Sequence, residues 1–275
     1  MQKRTGILFY PGMILLLAVL LFPLLWQFVA SIKPPSELFG DEAFRFYTSN
    51  PSLENYELVF TLRPFATYMW NSTVVAVLTT VYCIVIASFA AFAIARLHFP
   101  GKSLVLGLVL AVSMFPQIAT IAPIFMFMDS VDLTNSWIGL VIPYTTFALP
   151  LAIWNLTTFY RKIPADLEEA AKIDGATIMQ TFWKVFFPLA VPGTFTTAIL
   201  VFIAAWNEFL FALTINTEEA WKTVPVGIAL FQGQFTVPWG EIAAASVIVT
   251  IPLVIMVLIF QRRIIDGITS GAVKE

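Results

Sequence analysis

Residues 67–95 read TYMWNSTVVAVLTTVYCIVIASFAAFAIA, a run with no charged side chain. At about 1.5 Å of rise per residue, a helix of this length exceeds the roughly 30 Å hydrocarbon core of a bilayer. No polar side chain recurs each turn, so the run has no wet face and does not suit a surface helix. Its β-branched residues would favour a strand in water. In lipid the backbone must satisfy its own hydrogen bonds, and a helix does so within one segment. The alternating ten-residue segments of a membrane β-barrel do not occur.

Five further stretches behave in the same way, giving spans at about 11–32, 68–95, 103–128, 137–159, 194–214 and 240–261. The whole chain agrees: 275 residues, 59% hydrophobic and 12% charged, with a mean hydropathy of +0.85. Soluble domains carry roughly twice that share of charge. An ordinary soluble enzyme, a disordered chain and a nucleic-acid binder with a basic footprint are therefore excluded. The expectation is an all-α, polytopic protein of the cell membrane, with six spans embedded as a single domain over 1–275. The first span follows MQKR, as a signal peptide would, but it is longer than an export signal's apolar region and precedes SIKPPSE without a clear cleavage site. It is expected to be a retained helix.

Charge sets the orientation. With the N-terminus inside, the inner segments hold Lys3, Arg4, Arg96, Lys102, Arg161, Lys162, Lys172, Lys184, Arg262, Arg263 and Lys274, eleven of the 15 basic residues. The outer segments hold Lys33, Arg45, Arg63 and Lys222. Flipping the chain would break the positive-inside tendency, so both termini are placed in the cytoplasm. The outer segment 33–67 suits an ordered surface loop with a short helix near SLENYELVF.

The inner segment 160–193 is the most organised loop, and from Arg161 it reads RKIPADLEEAAKIDGATIMQTFWKVFFPLAVPG. Asp166 and Glu169 have the Asp-x-x-Glu spacing of a helix start, and ADLEEAAKI is strong helix-forming material until Gly175. Ile178, Phe182, Val185 and Phe186 fall on one face of a second short helix. Pro188 and Pro192 are expected to constrain the chain before it re-enters the bilayer. Two readings stand for this loop: a pair of interfacial helices, or a docking surface for a soluble partner.

Catalytic and metal chemistry have little to work with. No phosphate loop, dinucleotide fingerprint or zinc-protease motif occurs, and the chain has one histidine, His98, and one cysteine, Cys83. Energised work must draw on a partner or an ion gradient. Within the spans the clear ionisable residue is Glu208, in AAWNEFLFAL, and a carboxylate there must pair, protonate or face a polar cavity. Bundle stabilisation and lining of a solute path are both open for Asn207 and Glu208. Gln117 beside Pro116, Pro123, and Pro143 next to Tyr144 suggest bent helices near a solvated route. Ala87, Ala91 and Ala95 recur at a spacing suited to close helix contact.

Glu169, Ala170, Ala171 and Gly175 resemble the EAA signature of ABC importer permeases. After nine further residues that signature has I-x-L-P; here Val185-Phe186-Phe187-Pro188 keeps the proline and alters both apolar positions conservatively. More narrowly, ARLHFPGK at 95–102, EEAAKIDGAT at 168–177 and AAWNEF at 204–209 resemble the shorter membrane subunit of maltose-type sugar transporters. The resemblance covers about 68–260. It implies the type I importer permease fold and a non-catalytic permease subunit translocating a di- or oligosaccharide or glycoside. The implied partners are a second homologous permease subunit, two cytoplasmic ATPase subunits that bind ATP and Mg, and an extracytoplasmic solute-binding protein. No cofactor is expected on this chain. The helix at about 166–176 would couple to the ATPase through Glu169, Ala170, Ala171, Ile173 and Gly175, with Pro188 closing the motif. Gln117, Tyr144, Trp206, Asn207 and Glu208 are the candidates for the substrate path. An importer for another polar solute is the alternative. A secondary transporter working alone fits less well, since it should carry more intramembrane charge and repeated halves.

Overall fold

A computed structural model describes the backbone of residues 9–231 and 237–272, with side chains described for 9–41, 43–231 and 237–261. Among these residues all regular structure is helical. The long helices are α1 (Phe9–Ile32), α3 (Phe65–Arg96), α6 (Trp137–Lys162), α9 (Phe187–Trp206) and α12 (Trp239–Ala272). Between them lie α2 (Glu54–Thr61), α4 (Lys102–Ser113), α5 (Gln117–Ser130), α7 (Asp166–Ile173), α8 (Ile178–Thr181), α10 (Leu210–Ile215) and α11 (Val224–Ala229). Five helices are long and apolar enough to cross a membrane, and α4 with α5 makes a sixth if the bent pair is one span.

The chain forms two compact units, one drawn from Met1–Ala66 and Gly227–Pro252, the other from Thr67–Val226 and Leu253–Glu275. In the first, the apolar window of α1 has no buried residue. Its C-terminal end is nonetheless held firmly: Asn55 of α2 donates to the carbonyls of Ser31 (3.0 Å) and Lys33 (2.7 Å), taking up acceptors that a helix end leaves open. Lys33 is buried, and its ammonium donates to the carbonyls of Ala43 (3.0 Å) and Arg45 (2.7 Å). This buried cation folds the outer segment onto itself, and the helix expected near SLENYELVF is α2. Gly240 opens α12 against Asn55, where a Cβ would come within 2.3 Å of the amide oxygen.

The second unit is built on α6, which packs against α4, α9 and α10. Ser136 caps α6 by accepting from the Gly139 amide at 3.0 Å. Close approach of α6 and α9 depends on Gly193, where a Cβ would sit 2.3 Å from the Phe159 ring. The core contains the small residues Ala87 and Ala91 together with an aromatic group of Phe92, Tyr160, Phe182 and Phe186.

Two expected spans have different limits. The stretch 103–128 is α4 and α5, bent by 92° at a short break. Pro116, extended at φ −66° and ψ 124°, has no amide hydrogen to continue α4 and stands instead at the head of α5. The fifth span runs Ile178–Trp206 rather than 194–214. Pro188 and Pro192 do not end the helix. Phe182–Phe186 form a π-turn in which the Phe187 amide reaches back to the Phe182 carbonyl, and this wider turn absorbs the hydrogen bond that Pro188 cannot make. The segment 178–186 is therefore continuous with α9.

Candidate functional site

Two places combine polar chemistry with a break in the helices. The first is the turn after α9. The helix stops at Trp206, and the chain passes through Asn207–Phe209 before α10 begins. The Glu208 carboxylate accepts from the amides of Phe211 (2.9 Å) and Ala212 (3.2 Å), one oxygen to each. Glu208 therefore lies just past the fifth span and not within it, and its carboxylate is spent on the open amides of a restarted helix, which also favour an anion.

Glu208 lines a cavity of about 140 Å³ with Gln117, Tyr144, Phe147, Leu200, Ala204 and Phe211 among its neighbours. Three of the five residues expected on a solute path thus meet in one cavity. Tyr144 is buried in the wall of this cavity. Trp206 and Asn207 are not among the residues lining it. Trp206 is buried and stacks on Phe202 at 5.6 Å between ring centroids, and the exposed Asn207 returns its amide to the Ile203 carbonyl at 2.8 Å. The apolar lining residues carried no signal in the sequence, because a Phe or Leu that faces a cavity reads like one that faces lipid.

The second place is α7 and the turn that follows it. The helix starts at Asp166, but its N-cap is Ala165 and no side chain caps it, so Asp166 and Glu169 do not form a capping box. They lie in the first turn with Glu168, where acidic groups suit the exposed amides. The end is better defined. Gly175, at φ +74°, donates to the Lys172 carbonyl (3.0 Å), and Ala176 donates to that of Ala171 (2.9 Å), the two bonds of a Schellman motif. Thr177 and Gln180 then form a reciprocal capping box that starts α8. Stop and start signals two residues apart, at Gly175 and Thr177, make this corner rigid.

The corner presents apolar side chains to solvent. Ile173 is 85% exposed, and Leu167, Ile178 and Met179 are also exposed. Glu169, Ala170, Gly175 and Pro188 are exposed as well, while Ala171 is buried. Lys172 pairs with Glu168 at 2.7 Å along the helix. Among the described residues no three His, Cys, Asp or Glu side chains are grouped to hold a metal ion.

Residues 83–270 match the model of the binding-protein-dependent transport system inner membrane component family. The chain belongs to that family. It is a permease subunit of an ABC transporter, a multi-pass protein of the cytoplasmic membrane and not itself the ATPase. The permease is 48% identical over 256 residues to the trehalose transport system permease protein SugB of Mycobacterium tuberculosis, covering 92% of each chain. It is 44% identical over 272 residues to the trehalose/maltose transport system permease protein MalG of Thermococcus litoralis, covering 98% of this chain and 96% of that one. The sulfoquinovosyl glycerol transport system permease protein SmoH of Agrobacterium fabrum is 42% identical over 254 residues, with 92% and 89% covered. Among solved structures, a chain of a bacterial ABC transporter involved in import of the acidic polysaccharide alginate superposes with a TM-score of 0.79 at 22% identity, over 95% of this chain and 98% of that one. The permease thus has the fold of an ABC importer membrane subunit.

A further polar cluster in the second unit escaped sequence reasoning. Asn71 donates to the carbonyls of Ala220 and Lys222 and accepts from the Trp137 indole at 2.9 Å. Asn216 donates to the carbonyls of Ser136 and Trp221. These amides order the segment 216–223, but asparagines scattered over 145 positions of sequence have no local pattern to announce them.

Proposed function

We propose that this permease carries a sugar, a di- or oligosaccharide or a glycoside, inward across the cytoplasmic membrane as one half of a membrane pore. The observation that carries this reading is the carbohydrate character shared by the substrates named for all three relatives, each aligned over more than nine-tenths of the permease. Gln117, Tyr144 and Glu208 form the polar side of the path. Their cavity of about 140 Å³ is smaller than the roughly 300–1,000 Å³ of an ordinary ligand pocket. A second, homologous permease subunit completes the chamber.

The motor is external. Two cytoplasmic ATPase subunits bind ATP and Mg, and α7 docks into them through Ala170 and Ile173 with Glu169 beside them. Support comes from the exposure of Ile173 at the helix end fixed by the Gly175 turn, since a large apolar side chain held rigidly in water is a feature of binding surfaces. The Gly175 turn sets the angle of that helix, and Pro188 follows the π-turn through which the α8–α9 span continues. An extracytoplasmic binding protein delivers the sugar, a reading supported by the binding-protein dependence in the family's description.

The test is reconstitution of the permease with its partner subunits in proteoliposomes, followed by uptake of radiolabelled trehalose, maltose and sulfoquinovosyl glycerol. ATP-dependent uptake of at least one of them is expected. Uptake without ATP, or transport confined to non-carbohydrate solutes, would overturn the assignment.

A further inference from the structure

The inner ends of the helices meet at Arg96. It is the last residue of α3, and its Nη2 donates to the carbonyls of Tyr160 and Ile163 at the C-terminal end of α6. The guanidinium lies over the Phe186 ring, 4.6 Å from its centroid, at the π-turn that begins α9. On its remaining side is α7: Arg96, Glu168 and Lys172 line one cleft of about 150 Å³, and the field of the Glu168 carboxylate reaches the guanidinium. Glu168 pairs with the lysine of its own helix and lines the same cleft as a cation rooted in two spanning helices.

We propose that Arg96 is a positioning residue for transport, a rigid joint that carries displacement of α7 into the ends of α3, α6 and the α8–α9 span. The proposal rests on the reading of α7 as the ATPase-docking helix. Residues 163–165 connect α6 to α7, and α7 also packs on α8 and the π-turn, so its displacement reaches Arg96 from both sides: along that short connection to Ile163 and through the Phe186 ring. Arginine suits the task because its planar, permanently charged fork serves two carbonyls and a ring face at once, and an ammonium does not.

The reconstituted complex tests this with Arg96→Gln and Glu168→Gln, the latter removing the facing charge while leaving the end of α6 capped. Uptake of trehalose or maltose, whichever the unaltered complex imports faster, is measured per ATP hydrolysed. Spin labels at Pro100 and Asp174 report in parallel the spread of distances between the end of α3 and α7. Arg96→Gln is expected to lower uptake per ATP about tenfold, as for loss of a hydrogen bond to a charged group, and to widen the distance distribution. Glu168→Gln is expected to act in the same direction by about two- to threefold. A purely structural role would reduce the number of assembled complexes and leave uptake per ATP unchanged. If Arg96→Gln does not assemble, Glu168→Gln decides by the same two measurements. Wild-type ratios with unchanged distance distributions overturn the proposal. A control, Ile173→Glu, separates the two readings: normal ATPase co-purification in that variant would defeat the docking assignment, whatever Arg96 does.

Discussion

The two breaks in the second unit are closed by opposite means. At 174–177 the backbone closes itself, through a left-handed glycine, two amide-to-carbonyl bonds and a threonine cap, and the side chains are left free to face outward. At 207–209 a side chain closes the break, and the Glu208 carboxylate is committed to two amides while it lines the cavity. In water-facing structure a self-contained corner makes a stable platform for another protein. Within a bundle, a carboxylate that holds a helix start gives polarity to a path without standing uncompensated in hydrocarbon.

Substitutions on either side test this division of labour. The largest effect is expected from Glu169→Lys, which reverses a charge on the docking face: uptake falls about tenfold or more, and ATP hydrolysis in the complex is uncoupled, while membrane insertion stays normal. Normal uptake with normally stimulated ATPase would remove Glu169 from coupling. Glu208→Ala comes next. Losing a charged acceptor for two amides destabilises the start of α10 by about 1.5–3 kcal/mol, so sugar transport should drop while the ATPase still co-purifies. Loss of ATPase binding would show that the two breaks are not independent, and transport unchanged at every substrate concentration would reduce Glu208 to packing.

Gly175→Val forces a β-branched residue to φ +74°, at about 1–2 kcal/mol, and should weaken ATPase co-purification, with Gly175→Asn closer to wild type. If Val is as good as Gly, the angle set by the turn is irrelevant to docking.

Much of this was legible because it is local. The spans follow from hydropathy, the glycine turn from the end of a helix-forming run, and the bend near Gln117 from Pro116. The proline rules learned from soluble helices failed at Pro188 and Pro192, because lipid offers the backbone no alternative to helix and a π-turn accommodates the missing amide. The Asp166-x-x-Glu169 spacing was matched without making a cap, while Thr177-x-x-Gln180 made one unnoticed. Spacing permits a capping box, but the backbone angles before the helix decide whether the side chain reaches. Trp206 and Asn207 were grouped with Glu208 through the AAWNEF resemblance, and the helix ends between Trp206 and Asn207.

The sequence by itself determined that this protein lives in a bilayer, how many apolar stretches it has and where its inner loop turns. Hydropathy, basic residues and turn glycines are properties of short segments and need no distant partner. Only the tertiary structure decided that Gln117, Tyr144 and Glu208 share a cavity, that Trp206 does not, and that Arg96 ties α3 to α6 and faces α7. Those relations depend on how each helix is rotated about its axis and where it breaks, and residues up to 91 positions apart, from 117 to 208, leave no mark of that on one another's neighbours.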